Sequence, residues 1–323
     1  MEKLARIAEE RREELFALPN VVGVAVGYKR RGGAVTDQPS VVVLVRKKVP
    51  LAQLAPDEVI PSEVEGVPTD VVEVGDLKAL EALPEEPDPE AHRRKLRPAR
   101  PGISIGHFRV TAGTLGAVVY DRESGEPLIL SNNHVLANSQ TPRGRRAAIG
   151  DPVYQPGPYD GGTAADTLAT LHRYVPLRFP TRRPAAASRS AAPALNQVDA
   201  AVARPLSPEL LRPEILGLGQ LTGTAAAELE MPVRKSGRTT GCTNGKVTAL
   251  HATLRVGYGE GRTATFVDQI VLEPMSQGGD SGSLVIDAAG RAVGLLFAGS
   301  PSATIASPIA AVLESLRVTF SAP

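Results

Sequence analysis

The chain has 323 residues, 42% hydrophobic and 22% charged, with a formal net charge of +1. That length accommodates two domains, and the balance describes an ordinary globular protein rather than a disordered or fibrous one. A near-neutral charge gives no global pull towards nucleic acid or a membrane, and no apolar run reaches bilayer-spanning length.

Leu4, Ile7, Ala8, Leu15 and Phe16 recur at helical spacing with charges between them, which predicts an N-terminal helix. The charged start, Met1 to Arg12, lacks the apolar core of a signal peptide. Cys242 is the single cysteine, so no internal disulfide is expected. Together these features predict a reducing, cytoplasmic setting. Val21–Gly27 and Ser40–Arg46 read as strands, with Arg30–Gln38 as the hairpin loop between them, and Thr69–Val74 supplies a third strand. Residues 1–82 are therefore expected to form a small α+β domain of their own, serving assembly, docking or as a lid. Residues 83–101 read as an exposed linker, because an acidic block (Glu85–Glu90) turns abruptly basic (His92–Arg97) amid prolines. A second connector, Pro176–Pro193, is rich in Pro, Arg, Ala and Ser.

From residue 102 onwards the chain reads as short strands. Gly116–Tyr120 and Pro127–Leu130 flank a turn at Asp121–Glu126 and lead into Ser131-Asn132-Asn133-His134. Further strands are expected at Met231–Lys235, Lys246–Arg255, Phe266–Leu272, Leu284–Asp287 and Ala292–Ala298, with a helix over Ser307–Leu316. Regular spacing of short strands favours an all-β barrel over a parallel sheet.

Chemistry enters at Gly278-Gly279-Asp280-Ser281-Gly282-Ser283. Glycines on both sides of a serine allow a backbone on which successive N–H groups converge, as stabilising an oxyanion requires. A serine nucleophile needs a base and the base an orienting carboxylate. His134, at the end of an apolar strand, is the candidate base. Asp199, among small apolar neighbours, is the preferred carboxylate; Asp160 reads as turn chemistry and Asp166 as a cap or the start of a strand. The chain order His134, Asp199, Ser281 fits neither an α/β-hydrolase nor a subtilisin-like enzyme, and Ser283 breaks the Gly-x-Ser-x-Gly pattern of the former. His92, His107, His172 and His251 are isolated, so no metal and no cofactor is expected.

These residues, together with Lys235-Ser236-Gly237-Arg238-Thr239-Thr240-Gly241, resemble bacterial serine proteases of the chymotrypsin fold, the streptogrisin-like and α-lytic-like enzymes, over Gly102–Val318. The whole chain resembles bacterial relatives of the plant NARROW LEAF 1 proteins. The resemblance implies a mainly β fold of two antiparallel β-barrels (102–212 and 213–323) with a C-terminal helix beside the N-terminal α+β unit. It implies an oxyanion hole made by the N–H groups of Gly279 and Ser281, and an Arg238–Asp280 ion pair that holds the turn open. Met275 would floor the substrate pocket and Phe297, Ala298 and Gly299 would wall it, suiting a small or apolar side chain. The expected function is a serine endopeptidase acting on protein or peptide substrates, as a homo-oligomer and without nucleic-acid or membrane partners. The alternatives are an oligomeric scaffold of the same fold with little turnover and, less favoured, an esterase.

Overall fold

The computed structural model describes residues 1–79, 90–140, 147–180, 194–259 and 261–322. In chain order it begins with α1 (Glu2–Glu10), α2 (Arg12–Phe16), β1 (Val21–Arg31), β2 (Ala34–Val45), β3 (Glu63–Val64), β4 (Val67–Glu73), β5 (Lys78–Ala79) and α3 (Glu90–Arg93). The first barrel follows: β6 (Ser104–His107), β7 (Gly113–Thr114), β8 (Ala117–Asp121), β9 (Pro127–Ser131), α4 (Asn133–Leu136), β10 (Pro152–Tyr154), β11 (Thr167–Tyr174), β12 (Leu195–Asn196) and β13 (Ala201–Pro205). Of these, β12 pairs with the second barrel. The remainder is β14 (Gly223–Thr224), β15 (Pro232–Gly237), β16 (Gly241–Gly257), β17 (Thr263–Leu272), β18 (Leu284–Asp287), β19 (Arg291–Ser300), β20 (Ala303–Pro308), α5 (Ile309–Leu316) and β21 (Val318–Thr319).

The protein is mainly β, and its two large sheets form the two barrels expected. One sheet runs β21-β8-β9-β13-β11-β10-β6-β7. It curls back on itself at Leu115, which exchanges backbone bonds with Gly102 and Ile103 while Gly116 donates to Leu130 O. Ile103, Ile105, Leu115, Ile129, Leu168 and Leu171 fill its interior. In the second sheet β15, β16, β17, β20, β19 and β18 pair in a ring, closed by the β16–β17 pairing. Val233, Val247, Ile270, Leu272, Val285 and Leu296 fill that barrel. α5 lays Ile309, Val312 and Leu316 against Leu128 and Leu130 of the first sheet and Leu284 and Leu295 of the second, which seals the two together.

The N-terminal unit was expected to stand apart, yet it shares a sheet with the second barrel. The long strand β16 pairs with β15 along its first half, Gly241–Lys246. Its second half has one edge against β17, and β1 takes the edge that β15 has vacated, with Gly23 opposite Leu254 and Gly27 opposite Ala249. A strand with an open edge is a template for another strand, and here the chain's own N-terminus fills it. Strands in such a position are buried on both faces. In β2, Val42 and Leu44 pack towards Leu254, Phe266 and Phe297, while Val41, Val43 and Val45 pack under Ile7, Leu15 and Phe16 of α1 and α2. The uninterrupted Val-rich runs thus reflect two apolar faces, not one.

Two local expectations change. The Arg30–Gln38 loop is mostly strand, because β1 and β2 continue to a two-residue turn at Gly32-Gly33, where φ is +59° and +87°. The described part of the linker, residues 90–100, is docked on the first barrel. Its basic groups find acceptors there: Lys95 Nζ lies 2.7 Å from Asp166 Oδ1, and Arg97 donates to Gln155 O and Asp166 O. Asp166 also caps a short turn through Thr163 N–H and Oγ1, both at 2.9 Å. In the Pro176–Pro193 connector, residues 181–193 lie outside those described. No helix among the described residues is long and apolar enough to cross a membrane.

Candidate active site

His134 sits on α4, one turn of helix entered directly from the buried strand β9. Asp199 lies just before β13, which pairs with β9, so the sheet brings the two side chains together. Asp199 is fully buried and its Oδ2 meets His134 Nδ1 at 2.7 Å. Its Oδ1 accepts the His134 backbone N–H at 3.2 Å, and Asn132 Nδ2 holds the Asp199 carbonyl at 2.7 Å. A third donor comes from the other barrel. Tyr258, following β16, donates its hydroxyl to Asp199 Oδ2 at 2.7 Å, with its ring edge-on to the imidazole. Burial, reinforced by the Asp199 charge, pushes the Tyr258 phenol well above its ordinary pKa, so it remains a donor.

A carboxylate bonded to Nδ1 fixes that nitrogen as the N–H bearer and leaves Nε2 as the basic one. His134 Nε2 is buried and has no hydrogen-bond partner among the described residues. Such an orphan is unusual enough to require a reason, and a site waiting for a proton donor is one.

Ser281 lies on the turn that joins β17 to β18 in the second barrel. The Ser281 carbonyl accepts Thr114 N–H at 2.7 Å, and a Cβ on Gly113 would stand 2.4 Å from a methyl of Val135 and 3.0 Å from Ser281 O. The serine backbone is therefore packed on Gly113, which itself lies against the residue that follows His134. Ser281 Oγ donates to Phe297 O at 3.3 Å. Gly282 has φ +93°, and a Cβ there would lie 2.2 Å from Ser131 Oγ and 2.3 Å from Thr114 O. Gly282→Ala is thus expected to cost about 3 kcal/mol, from left-handed strain plus overpacking. Urea unfolding of the variant against the parent checks it.

The peptide planes of the turn are pinned. Thr239 Oγ1 donates to Gly278 O at 2.6 Å, and Asp280 O accepts Ser283 N–H and Oγ at 3.0 and 2.6 Å. In a trans peptide the N–H points opposite the carbonyl. The N–H groups of Gly279 and Ser281 are thereby turned away from those partners.

The ion pair expected between Arg238 and Asp280 is not formed. Asp280 pairs with Lys235, Nζ to Oδ2 at 3.1 Å, both fully buried. Asp280 accepts four more bonds, from the backbone N–H groups of Thr239, Thr240 and Gln277 and from Thr240 Oγ1, at 2.7–3.1 Å. Arg238 instead grips Asp160 in the first barrel with two parallel bonds, Nε–Oδ2 at 2.7 Å and Nη2–Oδ1 at 2.5 Å. Strand periodicity explains the exchange. Lys235 and Gly237 share one face of β15, and a Cβ on Gly237 would stand 2.5 Å from Asp280 Oδ1. Arg238 falls beyond the strand end and reaches across to the first barrel. Asp160 is thus an inter-barrel anchor as well as part of a turn. Burial pulls the Lys235 ammonium below its ordinary pKa, with Asp280 opposing the shift.

Met275 is buried in the second-barrel core beside Val247 and Leu272. Phe297, Ala298 and Gly299 lie on β19, with β5 paired against the latter two. Among the described residues no group of three His, Cys, Asp or Glu could hold a metal. Tyr258 was missed in the sequence; a lone tyrosine between glycines carries no signal until the strand register delivers it to Asp199.

Residues 5–75 match the family model described as NARROW LEAF 1 N-terminal domain. The chain is 31% identical over 155 residues to Protein NARROW LEAF 1 of Oryza sativa subsp. japonica, a match covering 45% of this chain and 27% of the rice protein. It thus spans only about a quarter of the curated relative's length. Among solved structures it is similar to Thermobifida fusca Protease A, at 18% identity and TM-score 0.48, covering 70% of this chain and all of that one. It is also similar to Nocardiopsis Protease, at 18% identity and TM-score 0.46, covering 68% and 98% respectively.

Proposed function

We propose that the protein is a serine endopeptidase that uses His134, Asp199 and Ser281. The observation that carries this reading is the bond from His134 Nδ1 to the fully buried Asp199, which leaves Nε2 basic and unpartnered among the described residues. When a peptide enters, Ser281 Oγ turns from Phe297 O to Nε2, gives up its proton and attacks the carbonyl carbon. The Gly279 and Ser281 N–H groups receive the oxyanion, a donor of this kind supplying about 3 kcal/mol. Asp199 stabilises the imidazolium, which protonates the leaving amine; water then releases the acyl group by the reverse sequence.

The test is hydrolysis of an unstructured protein such as β-casein, with new N-termini read by mass spectrometry. Cleavage by the parent and none by Ser281→Ala is expected. Equal cleavage by both would overturn the reading.

The phenol of Tyr258 contributes through Asp199. Tyr258→Phe keeps the ring packing against Phe266 and removes one donor to the carboxylate. The expected result is a fall of about tenfold in kcat with KM unmoved, since a hydrogen bond to a charged group contributes about 1.5 kcal/mol. Steady-state kinetics of variant and parent, separating kcat from KM, check it.

A further inference from the structure

β19 has two edges at Ala298 and Gly299. β20 takes one of them, with Ala298 opposite Ile305 and Gly299 opposite Thr304. β18 covers the other edge only as far as Leu295. Beyond that point the open edge is filled by β5, antiparallel, with Ala79 opposite Ala298 and Lys78 opposite Gly299. The preceding residue of β19 is Phe297, whose carbonyl accepts the Ser281 hydroxyl at 3.3 Å. On its other side β5 is held by Gly257 N–H donating to Leu77 O at 3.0 Å, next to the Tyr258 that binds Asp199. The segment therefore runs between the carbonyl that holds the nucleophile and the phenol that holds the carboxylate.

Its side chains alternate as a docked strand requires. Leu77 and Ala79 are buried with Tyr258, Phe266 and Phe297, whereas Lys78 faces solvent. Upstream it is tethered at Val74, whose N–H bonds Val45 O at 2.9 Å and whose carbonyl accepts Ser300 Oγ. Gly75, at φ +69°, provides the bend between tether and strand.

We propose that Val74–Ala79 is an internal pseudosubstrate strap. An extended peptide reaches Ser281 by taking the edge of β19, and the chain's own Lys78–Ala79 occupies that edge first. The inference rests on the peptidase reading and adds a regulatory step to it. The strap needs no diffusion to bind, so its tether gives it a high effective concentration over any free peptide. A displacing peptide inherits the same backbone bonds and the same restriction to a small apolar residue opposite Ala298.

Ala79→Pro in the full chain removes a backbone donor from the short strand and disfavours its pairing. Two readouts are compared with the parent: labelling of Ser281 by a small fluorophosphonate, which needs no strand pairing, and hydrolysis of a tetrapeptide anilide ending in leucine. For a strap closed nine-tenths of the time, labelling stays within about twofold while kcat/KM for the tetrapeptide rises about tenfold. Preserved labelling with unchanged or reduced peptide turnover overturns the strap alone. Absence of labelling in both proteins removes the peptidase reading, and the strap with it. If the variant fails to fold, hydrogen exchange of parent residues 74–79 decides, measured with and without a tetrapeptide aldehyde. Loss of protection on aldehyde binding supports displacement; unchanged protection with the aldehyde bound overturns it.

Discussion

Asp199→Asn is expected to lower kcat by about 10⁴-fold while leaving KM and the fold nearly unchanged. The carboxylate has an unusually well-defined task. Its Oδ2 takes both His134 Nδ1 at 2.7 Å and the Tyr258 hydroxyl at 2.7 Å, and its Oδ1 takes the His134 N–H at 3.2 Å. Three donors therefore converge on two oxygens in a site without water access. An asparagine fills the same volume but has only one acceptor oxygen, and its amide is itself a donor. The oxygen can satisfy the Tyr258–His134 side only if the amide faces the His134 N–H, donor against donor. In the opposite orientation the amide donates to Nδ1, the imidazole changes tautomer, and Nε2 carries a proton it cannot accept twice. The first sets two donors against each other in a fully buried site, so the second prevails and removes the base. Steady-state hydrolysis of a tetrapeptide anilide, with circular dichroism to confirm the fold, measures the effect.

Lys235→Met is expected to destabilise the protein by about 3 kcal/mol and to remove activity in the folded remainder. Methionine conserves volume, so the loss is electrostatic rather than a cavity. Removing one partner of a buried ion pair leaves the other charge uncompensated, which costs about 3–5 kcal/mol. The lower end applies because Asp280 keeps its bonds from Thr239, Thr240 and Gln277. Lys235 also donates to Thr240 Oγ1 and, at 3.0 Å, to Gly241 O, so the loop that cradles Asp280 loses its centre. Asp280 sits between Gly279 and Ser281, and its displacement carries the oxyanion donors with it. Urea unfolding gives the stability change, and titration of Ser281 gives the fraction of competent sites.

How much of this was legible in the sequence follows from the kind of signal each residue leaves. Ser281 announces itself locally, through glycines that only a special backbone needs. His134 and Asp199 are legible through order along the chain and apolar flanks, and the sheet then delivers them to one another through the β9–β13 pairing. The second barrel's strands were readable from short apolar runs, and α5 from its proline start. Partner choice among charges was not. Lys235 and Arg238 stand three residues apart, and assigning Asp280 to the arginine ignored that β15 places Lys235 and Gly237 on one face. Strand alternation, applied to that segment, identifies the lysine. Two features depend on contacts remote in sequence and leave no local trace. One is the bond from Tyr258 to Asp199, across 59 positions. The other is the pairing of β1 with β16, which joins residues more than two hundred positions apart and turns an apparently separate unit into a continuation of the second barrel. The same long-range closure puts Lys78–Ala79 on β19, where composition alone suggested only the approach to a linker.

The most direct test of the central claim is labelling with a fluorophosphonate probe followed by peptide mapping, on the parent, Ser281→Ala and His134→Ala. An activated serine predicts a single adduct on Ser281, none in Ser281→Ala, and labelling slowed by orders of magnitude in His134→Ala. An unlabelled but folded parent, or an adduct that forms equally without His134, would contradict it and leave a protease fold serving as a scaffold.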